Sequence, residues 1–84
     1  MSKLLIDVFV PGNGKTYEFQ IDSKVAVYAA VKQIIGSIIE VENETLFIDI
    51  ENAVLSDINA SKRLEPGLSL QAQGVKSGHK MILL

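Results

Sequence analysis

The stretch KLLIDVFVPGNGKTYEFQI, residues 3–21, consists of two alternating runs on either side of a cluster of turn residues. The first run places four apolar side chains on one face, namely Leu4, Ile6, Val8 and Val10. The second run places Tyr17, Phe19 and Ile21 on one face. A period of two is typical of a β-strand, and the glycines and asparagine at 11–14 accept the positive φ of a tight turn. The stretch therefore predicts an antiparallel β-hairpin.

The same turn contains Gly14-Lys15-Thr16, which resembles the end of a phosphate-binding loop. That loop has the pattern G-x-x-x-x-G-K-[ST] and is followed by a helix whose N-terminus faces the phosphates. The pattern requires a glycine at position 9, where this chain has Phe9. The residues after Thr16 alternate as a strand does. We therefore interpret the fragment as a hairpin turn and not as a nucleotide site.

A helix is predicted after the hairpin, with Asp22 or Ser23 as its N-terminal cap and an end near 39–40. Its apolar residues recur at helical spacing and are Val27, Ala30, Val31, Ile34, Ile35 and Ile38. Further strands are predicted at 46–50 and around Val54 and Leu55, followed by a loop over 56–69. The last strand, KMILL at 80–84, is apolar on both faces, which favours a central position in the sheet.

This element order predicts an α+β fold with two layers, in which a mixed sheet of four or five strands packs on one helix. The length of 84 residues is sufficient for a single domain spanning 1–84. A net charge of −2 with no basic stripe disfavours a nucleic-acid surface. The absence of cysteine and of a signal peptide favours a cytoplasmic protein.

The sequence offers few residues for catalysis or for metal binding. His79 is the only histidine and there is no cysteine, so we expect no transition-metal site, no cofactor and no enzyme activity. His79 itself is expected to be a surface loop residue. The acidic segment at 40–44 lacks the glycine-containing pattern of a calcium loop and is interpreted as a solvated connection.

The C-terminal stretch LQAQGVKSGHKMILL, residues 70–84, resembles the end of the YukD/EsaB family. These are small ubiquitin-like proteins encoded with bacterial type VII secretion systems, and they typically end in L-x-x-x-G-I-x-x-G-x-x-L-x-L-L. The matching positions are Leu70, Gly74, Val75, Gly78, Met81, Leu83 and Leu84. The loop before this motif is longer than is usual in the family, and His79 stands where an acidic or small polar residue is common. The resemblance implies a ubiquitin-like β-grasp fold.

Ubiquitin and the sulphur carriers act through a C-terminal Gly-Gly, whereas this sequence stops at Leu83-Leu84. We therefore expect a non-conjugated, non-catalytic accessory or regulatory protein of a type VII secretion system. Its partner would be a protein, by resemblance a cytosolic domain of the secretion machinery. The alternative is a ubiquitin-like subunit of a multicomponent enzyme such as a diiron monooxygenase. Self-association through an apolar sheet face is a third hypothesis.

The face of the sheet directed away from the helix is the predicted docking site. Strand alternation directs five apolar side chains to this face, and they are Leu5, Phe9, Phe47, Ile82 and Leu84. The first strand is expected to pair with the last, with the strand at 46–50 on the other side of the last strand. An exposed apolar patch on a small protein usually indicates a partner. Two alternatives stay open: the loop at 56–69 covers the patch, or a register shift of one residue inverts the faces.

Overall fold

The computed structural model describes residues 3–42 and 50–84 of the chain. The hairpin strands are β1 (Lys3–Val10) and β2 (Lys15–Asp22), and they are followed by the helix α1 (Val27–Glu42). A short 3-10 helix at Ile50–Asn52 precedes β3 (Leu55–Asp57) and β4 (Lys62–Arg63). A second 3-10 helix at Gln71–Gln73 leads to β5 (Lys80–Leu83).

The strands form one mixed five-stranded sheet in the order β2-β1-β5-β3-β4. The last strand is central, as its apolar sequence predicts, and it runs parallel to β1 and antiparallel to β3. The register places Val8 beside Met81 and Phe9 beside Ile82. The structure thus confirms the predicted α+β fold and the pairing of the first strand with the last.

The core lies between the sheet and α1. It contains the predicted inner residues Ile6, Val8 and Val10 of β1, each at most 1% exposed. Met81 and Leu83 of β5 are fully buried in the same layer. All six predicted apolar positions of the helix are buried, namely Val27, Ala30, Val31, Ile34, Ile35 and Ile38. The predicted register of β1 is therefore correct, because a shift by one residue would expose this set.

The cluster at 11–14 forms the predicted turn. The amide of Gly14 donates to the carbonyl of Val10 at 2.8 Å, and Gly14 has φ of 71°. The amide of Lys15 donates to Oδ1 of Asn13 at 3.0 Å. A residue with a side chain is strained at this φ, so a glycine is required where the chain reverses.

The start of the helix differs from the prediction. Asp22 accepts a hydrogen bond from the amide of Lys24, and the buried hydroxyl of Ser23 has no hydrogen-bond partner among residues 3–42 and 50–84, so neither residue caps α1. The helix begins at Val27, whose amide donates to the carbonyl of Leu68 at 2.9 Å. Backbone carbonyls from a distant segment thus satisfy the amides that a local side-chain cap would otherwise satisfy. The helix ends at Glu42, slightly beyond the predicted end.

The second half of the chain has strand residues where the sequence predicts a loop. Residues 56–57 belong to β3 and residues 62–63 form β4, and all four lie within the loop predicted over 56–69. The strand beside β5 is β3, and the expected neighbour at 46–50 was therefore placed wrongly. Most of that predicted strand, including Phe47, lies outside the described residues, and Ile50 begins a 3-10 helix. Of the helices in 3–42 and 50–84, none is long and apolar enough to cross a membrane.

Candidate docking surface on the outer sheet face

The sheet has one face packed on α1 and one opposite face, which we call the outer face. Alternation along β1 places Leu5, Asp7 and Phe9 on the outer face, because Ile6, Val8 and Val10 are buried on the other. Leu5 is 47% exposed and Phe9 is 36% exposed. Both side chains are therefore accessible at the surface of the described part of the chain.

Phe9 and Ile82 lie side by side at the centre of the outer face, because they are Cα partners in the β1–β5 ladder. Leu84 lies two residues further along the chain from Ile82 and is 61% exposed. Its amide and carbonyl both bond to Val54 at 2.9 Å, so its backbone continues the β3–β5 pairing. Of the predicted site residues, the structure brings these three together.

The other two predicted site residues stand apart from this cluster. Leu5 is on the outer face, but Asp7 lies between it and Phe9 on the same strand. Successive outer positions on a strand are about 6.6 Å apart, so Leu5 and Phe9 are separated by about 13 Å. Phe47 lies outside the described residues.

Sequence reasoning missed Ile58, which is 50% exposed. Its amide donates to the carbonyl of Lys80 at 2.8 Å, which continues the β3–β5 pairing by one residue. Ile58 and Phe9 contribute to the walls of a hollow of about 200 Å³, whose other lining residues are Asp7, Thr16, Lys80 and Met81. Extending the alternation of β3 from Ser56 to residue 58 would have found it. We call Phe9, Ile58, Ile82 and Leu84 the outer-face patch.

The loop at 56–69 does not cover this patch. Its later part lies against the start of the helix, where the carbonyls of Pro66 and Leu68 accept hydrogen bonds from the amides of Tyr28 and Val27. Phe9, Ile58 and Leu84 remain between 36% and 61% exposed.

A row of charged side chains crosses the outer face next to the patch. Asp7 is the Cα partner of Glu18 on β2 and of Lys80 on β5. The ion pairs found within residues 3–42 and 50–84 are Lys15–Glu42 and His79–Asp57, and neither includes a member of this row.

His79 is held by a buried carboxylate and is not a free surface residue as expected. Its Nδ1 lies 2.9 Å from Oδ2 of Asp57, and its side chain is only 22% exposed. Oδ1 of Asp57 accepts hydrogen bonds from the amides of Asn59 and Ala60 at 3.0 and 3.3 Å. The arrangement joins β3, the following turn and the residue before β5. These contacts stabilise the fold.

Lys15 of the hairpin turn also makes a contact that stabilises the fold. Its Nζ lies 2.6 Å from Oε2 of Glu42, and the hydroxyl of Tyr17 donates to Oε1 of Glu42 at 3.0 Å. The hydrogen bond from Lys15, followed by the one from Tyr17, lowers the pKa of Glu42 below its usual 4.5. A strand and not a helix follows the turn, so the site lacks the helix N-terminus that a phosphate-binding loop uses.

Metal binding has no support in the part of the chain that the structure describes. No group of three or more His, Asp or Glu side chains within 3–42 and 50–84 is placed to hold an ion. The surface that remains as a candidate site is the outer-face patch with its charged row.

Three solved structures illustrate the similarity of this fold to known proteins. The ubiquitin-like domain of EccD5 from Mycobacterium xenopi aligns with a TM-score of 0.78 at 12% identity, covering 100% of this chain and 94% of that one. The ubiquitin-like domain of the Mycobacterium tuberculosis type VII secretion system protein ECCD1 aligns with a TM-score of 0.73 at 15% identity, covering 100% and 99%. The UBL domain of Plasmodium falciparum Dsk2 aligns with a TM-score of 0.73 at 23% identity, covering 98% and 96%.

No known protein family and no curated protein matches the sequence. The structural similarity, together with the sheet order and the single packed helix, defines the chain as a ubiquitin-like β-grasp domain. Domains of this class are generally non-catalytic. Type VII secretion proteins are among its structural neighbours.

Proposed function

We propose that this protein is a non-catalytic docking module of a type VII secretion system, acting in the cytoplasm through the outer-face patch. Its partner is a cytosolic domain of the secretion machinery or a regulator of it. The observation that carries the proposal is the exposed apolar cluster of Phe9, Ile58, Ile82 and Leu84. In the proposed contact the patch is the centre, and Leu5 of β1 extends it. Phe47, the remaining predicted contact residue, lies outside the described residues.

The energetics of the patch support a docking role. Phe9 and Ile82 lie at its centre, flanked by Ile58 and Leu84, which are half or more exposed. Burying apolar surface contributes about 25 cal/mol per Å², and aromatic side chains in central positions dominate many interfaces. In the free protein Phe9, Ile58 and Leu84 stay between 36% and 61% exposed, so a partner on this face would remove further apolar surface from water.

The assignment to type VII secretion rests on two similarities. Residues 70–84 resemble the end of the YukD/EsaB family, and the EccD ubiquitin-like domains have the same fold over nearly their whole length. In the structure Leu70, Val75, Met81 and Leu83 of this stretch are core residues. The motif therefore stabilises the fold, and the docking role depends on the outer face.

The test is a pull-down from the native host with tagged wild type and two variants. Phe9→Asp introduces a charge at the centre of the patch. Leu68→Asp is the matched control, because Leu68 is 50% exposed in the segment that lies at the start of α1. Both variants should give the wild-type circular dichroism spectrum.

We expect secretion-system components to be captured by wild type and by Leu68→Asp and to be lost with Phe9→Asp. Capture of oxygenase subunits instead would contradict the assignment to secretion and favour the monooxygenase alternative. Equal capture by all three proteins would show that the outer-face patch is not the docking surface.

A further inference from the structure

The charged row beside the patch contains two carboxylates that face each other across a strand pair. Asp7 and Glu18 are Cα partners on the outer face, and side chains at such positions lie within about 5.5 Å at Cβ. Like charges in this position are destabilising. No side-chain hydrogen bond or ion pair within the described ranges 3–42 and 50–84 relieves them.

Lys80 offsets part of this charge. It is the Cα partner of Asp7 on the other side, although it forms no ion pair with Asp7 in the described part of the chain. The row therefore consists of two carboxylates and one ammonium group, with Glu18 on the edge strand β2 and separated from Lys80 by β1. Its excess negative charge lies on the Glu18 side of Asp7.

The hollow next to the row has a shape that suits a long side chain. Phe9 and Ile58 supply apolar walls, and Asp7 and Lys80 are the charged residues of its lining. Glu18 lies outside the hollow, next to Asp7 on β2. An arginine has an apolar stem that packs along such walls and a planar head that binds carboxylates with paired hydrogen bonds. The ring of Phe9 adds a further attraction for a cationic head group.

We propose that the outer face recognises a partner segment in which an arginine or lysine stands next to an apolar residue. The stem of the basic residue lies between Phe9 and Ile58, and its head group reaches Asp7 and Glu18. The apolar neighbour packs on Ile82 and Leu84. The proposal rests on the proposed docking function and names the chemistry of the partner at that same face.

The proposal is tested by selecting displayed random peptides on the wild-type protein. The enriched peptides are then measured by titration against three variants. The first is Asp7→Asn combined with Glu18→Gln, which keeps the shape of the row and removes its negative charge. The second is Phe9→Asp. The control is Glu40→Gln, which removes an exposed carboxylate from the helix layer on the opposite side of the sheet.

We expect the enriched peptides to share a basic residue beside an apolar one. Their affinity should fall roughly tenfold, equal to about 1.4 kcal/mol, when the row is neutralised, and should be unchanged in Glu40→Gln. Added salt should weaken binding to wild type more than binding to the neutralised variant, since the contact is ionic. Replacing the basic residue of the peptide by glutamine should reproduce the loss.

Two other outcomes separate this proposal from the docking function. Peptides that lose binding in Phe9→Asp but bind the neutralised row as well as wild type would overturn the basic-residue proposal and leave the docking face in place. Peptides that bind Phe9→Asp as well as wild type would overturn both.

Discussion

The two halves of the chain contribute elements of very different length to the same sheet. Residues 3–42 form three long elements, with strands of 8 residues each and a helix of 16 residues. Residues 50–84 contribute strands of only 3, 2 and 4 residues. The first half is specified by apolar periodicity, whereas the short strands of the second half require additional polar contacts.

Two side chains supply most of those contacts. Asp57 binds His79 and the amides of Asn59 and Ala60. The amide group of Gln73 accepts from the backbone of Glu65 at 2.7 Å and donates to its carbonyl at 3.0 Å. Both side chains fix the backbone of a neighbouring loop by hydrogen bonds, next to strands that are too short to form a long β-ladder.

The comparison indicates which substitutions should destabilise each half. A strand of two or three residues gains little from its own ladder, so its position depends on the side chains that bond to neighbouring loops. In the first half the long β-ladder and the buried helix face stabilise many residues together. Substitutions there should therefore lower the stability mainly where they remove buried side-chain volume from the core.

The first half should be most sensitive to loss of core volume. Ile34 is fully buried in α1, so Ile34→Ala removes apolar contacts and leaves a cavity. We expect a loss of about 3 kcal/mol in the free energy of unfolding, measured by urea denaturation. The control is Gln33→Ala, an exposed neighbour, which should change stability by less than about 0.5 kcal/mol. Because alanine has the highest helix propensity, neither loss could come from propensity, and a comparable loss in both variants would contradict the assignment of the effect to the packing of Ile34.

The second half should be most sensitive at Asp57. Asp57→Ala leaves two amides and the ring of His79 without their acceptor, and we expect a loss of about 2 to 3 kcal/mol. Hydrogen exchange should locate the damage to β3, β4 and the start of β5, with β1 and β2 protected as in wild type. Asp57→Asn keeps one oxygen acceptor and should recover part of the stability. Uniform loss of protection across the sheet would contradict the division between the halves.

This division also explains how much of the fold could be predicted from sequence. The hairpin, the buried face of the helix and the central position of the last strand follow from periods of two and 3.6 residues. The start of the helix could not be predicted, because its first amides are satisfied by carbonyls of Pro66 and Leu68, far along the chain. β4 is only Lys62–Arg63 and has no apolar pattern to reveal it.

The positions of the candidate site residues on the sheet could also be predicted in part from the sequence. Alternation placed Leu5, Phe9, Ile82 and Leu84 on the outer face, and their positions agree with that prediction. Leu5 and Phe9 lie on the same strand with Asp7 between them, so their separation follows from the sequence alone. The residues beside Phe9 on β5 depend on the register between strands, which no single strand encodes. Ile58 was not predicted because β3 is only three residues long and has no long apolar alternation to reveal which face residue 58 lies on. Its position depends on the contacts that Asp57 makes with the following turn.

Gln73 provides a smaller test of the second half. Gln73→Ala removes the hydrogen bonds to both backbone groups of Glu65, and since the site is partly exposed we expect a loss of about 1 kcal/mol. Gln71→Ala is the matched control, because Gln71 is exposed in the same 3-10 helix and its bond to Ser23 uses only its backbone amide. Thermal unfolding of the two variants measures the difference. Equal melting temperatures would show that the Gln73 contacts add nothing to the loop.

The smallest effect is expected at Glu42, whose carboxylate ties the hairpin to the end of the helix through hydrogen bonds from Lys15 and Tyr17. The pKa of Glu42 is lowered by the hydrogen bonds from Lys15 and Tyr17, so its ionised form favours the folded state. A carboxyl whose folded pKa is depressed contributes stability above its unfolded pKa, near the usual 4.5, and loses it as the pH falls through the folded value. Wild type should therefore be slightly more stable than Glu42→Gln at neutral pH, and the two should converge in acid. Added salt should reduce the difference at neutral pH, because the Lys15 side chain is 54% exposed and its attraction to Glu42 is screened. Urea denaturation of both proteins from neutral to acidic pH measures it, and a constant difference at every pH would show that the contact is not ionic.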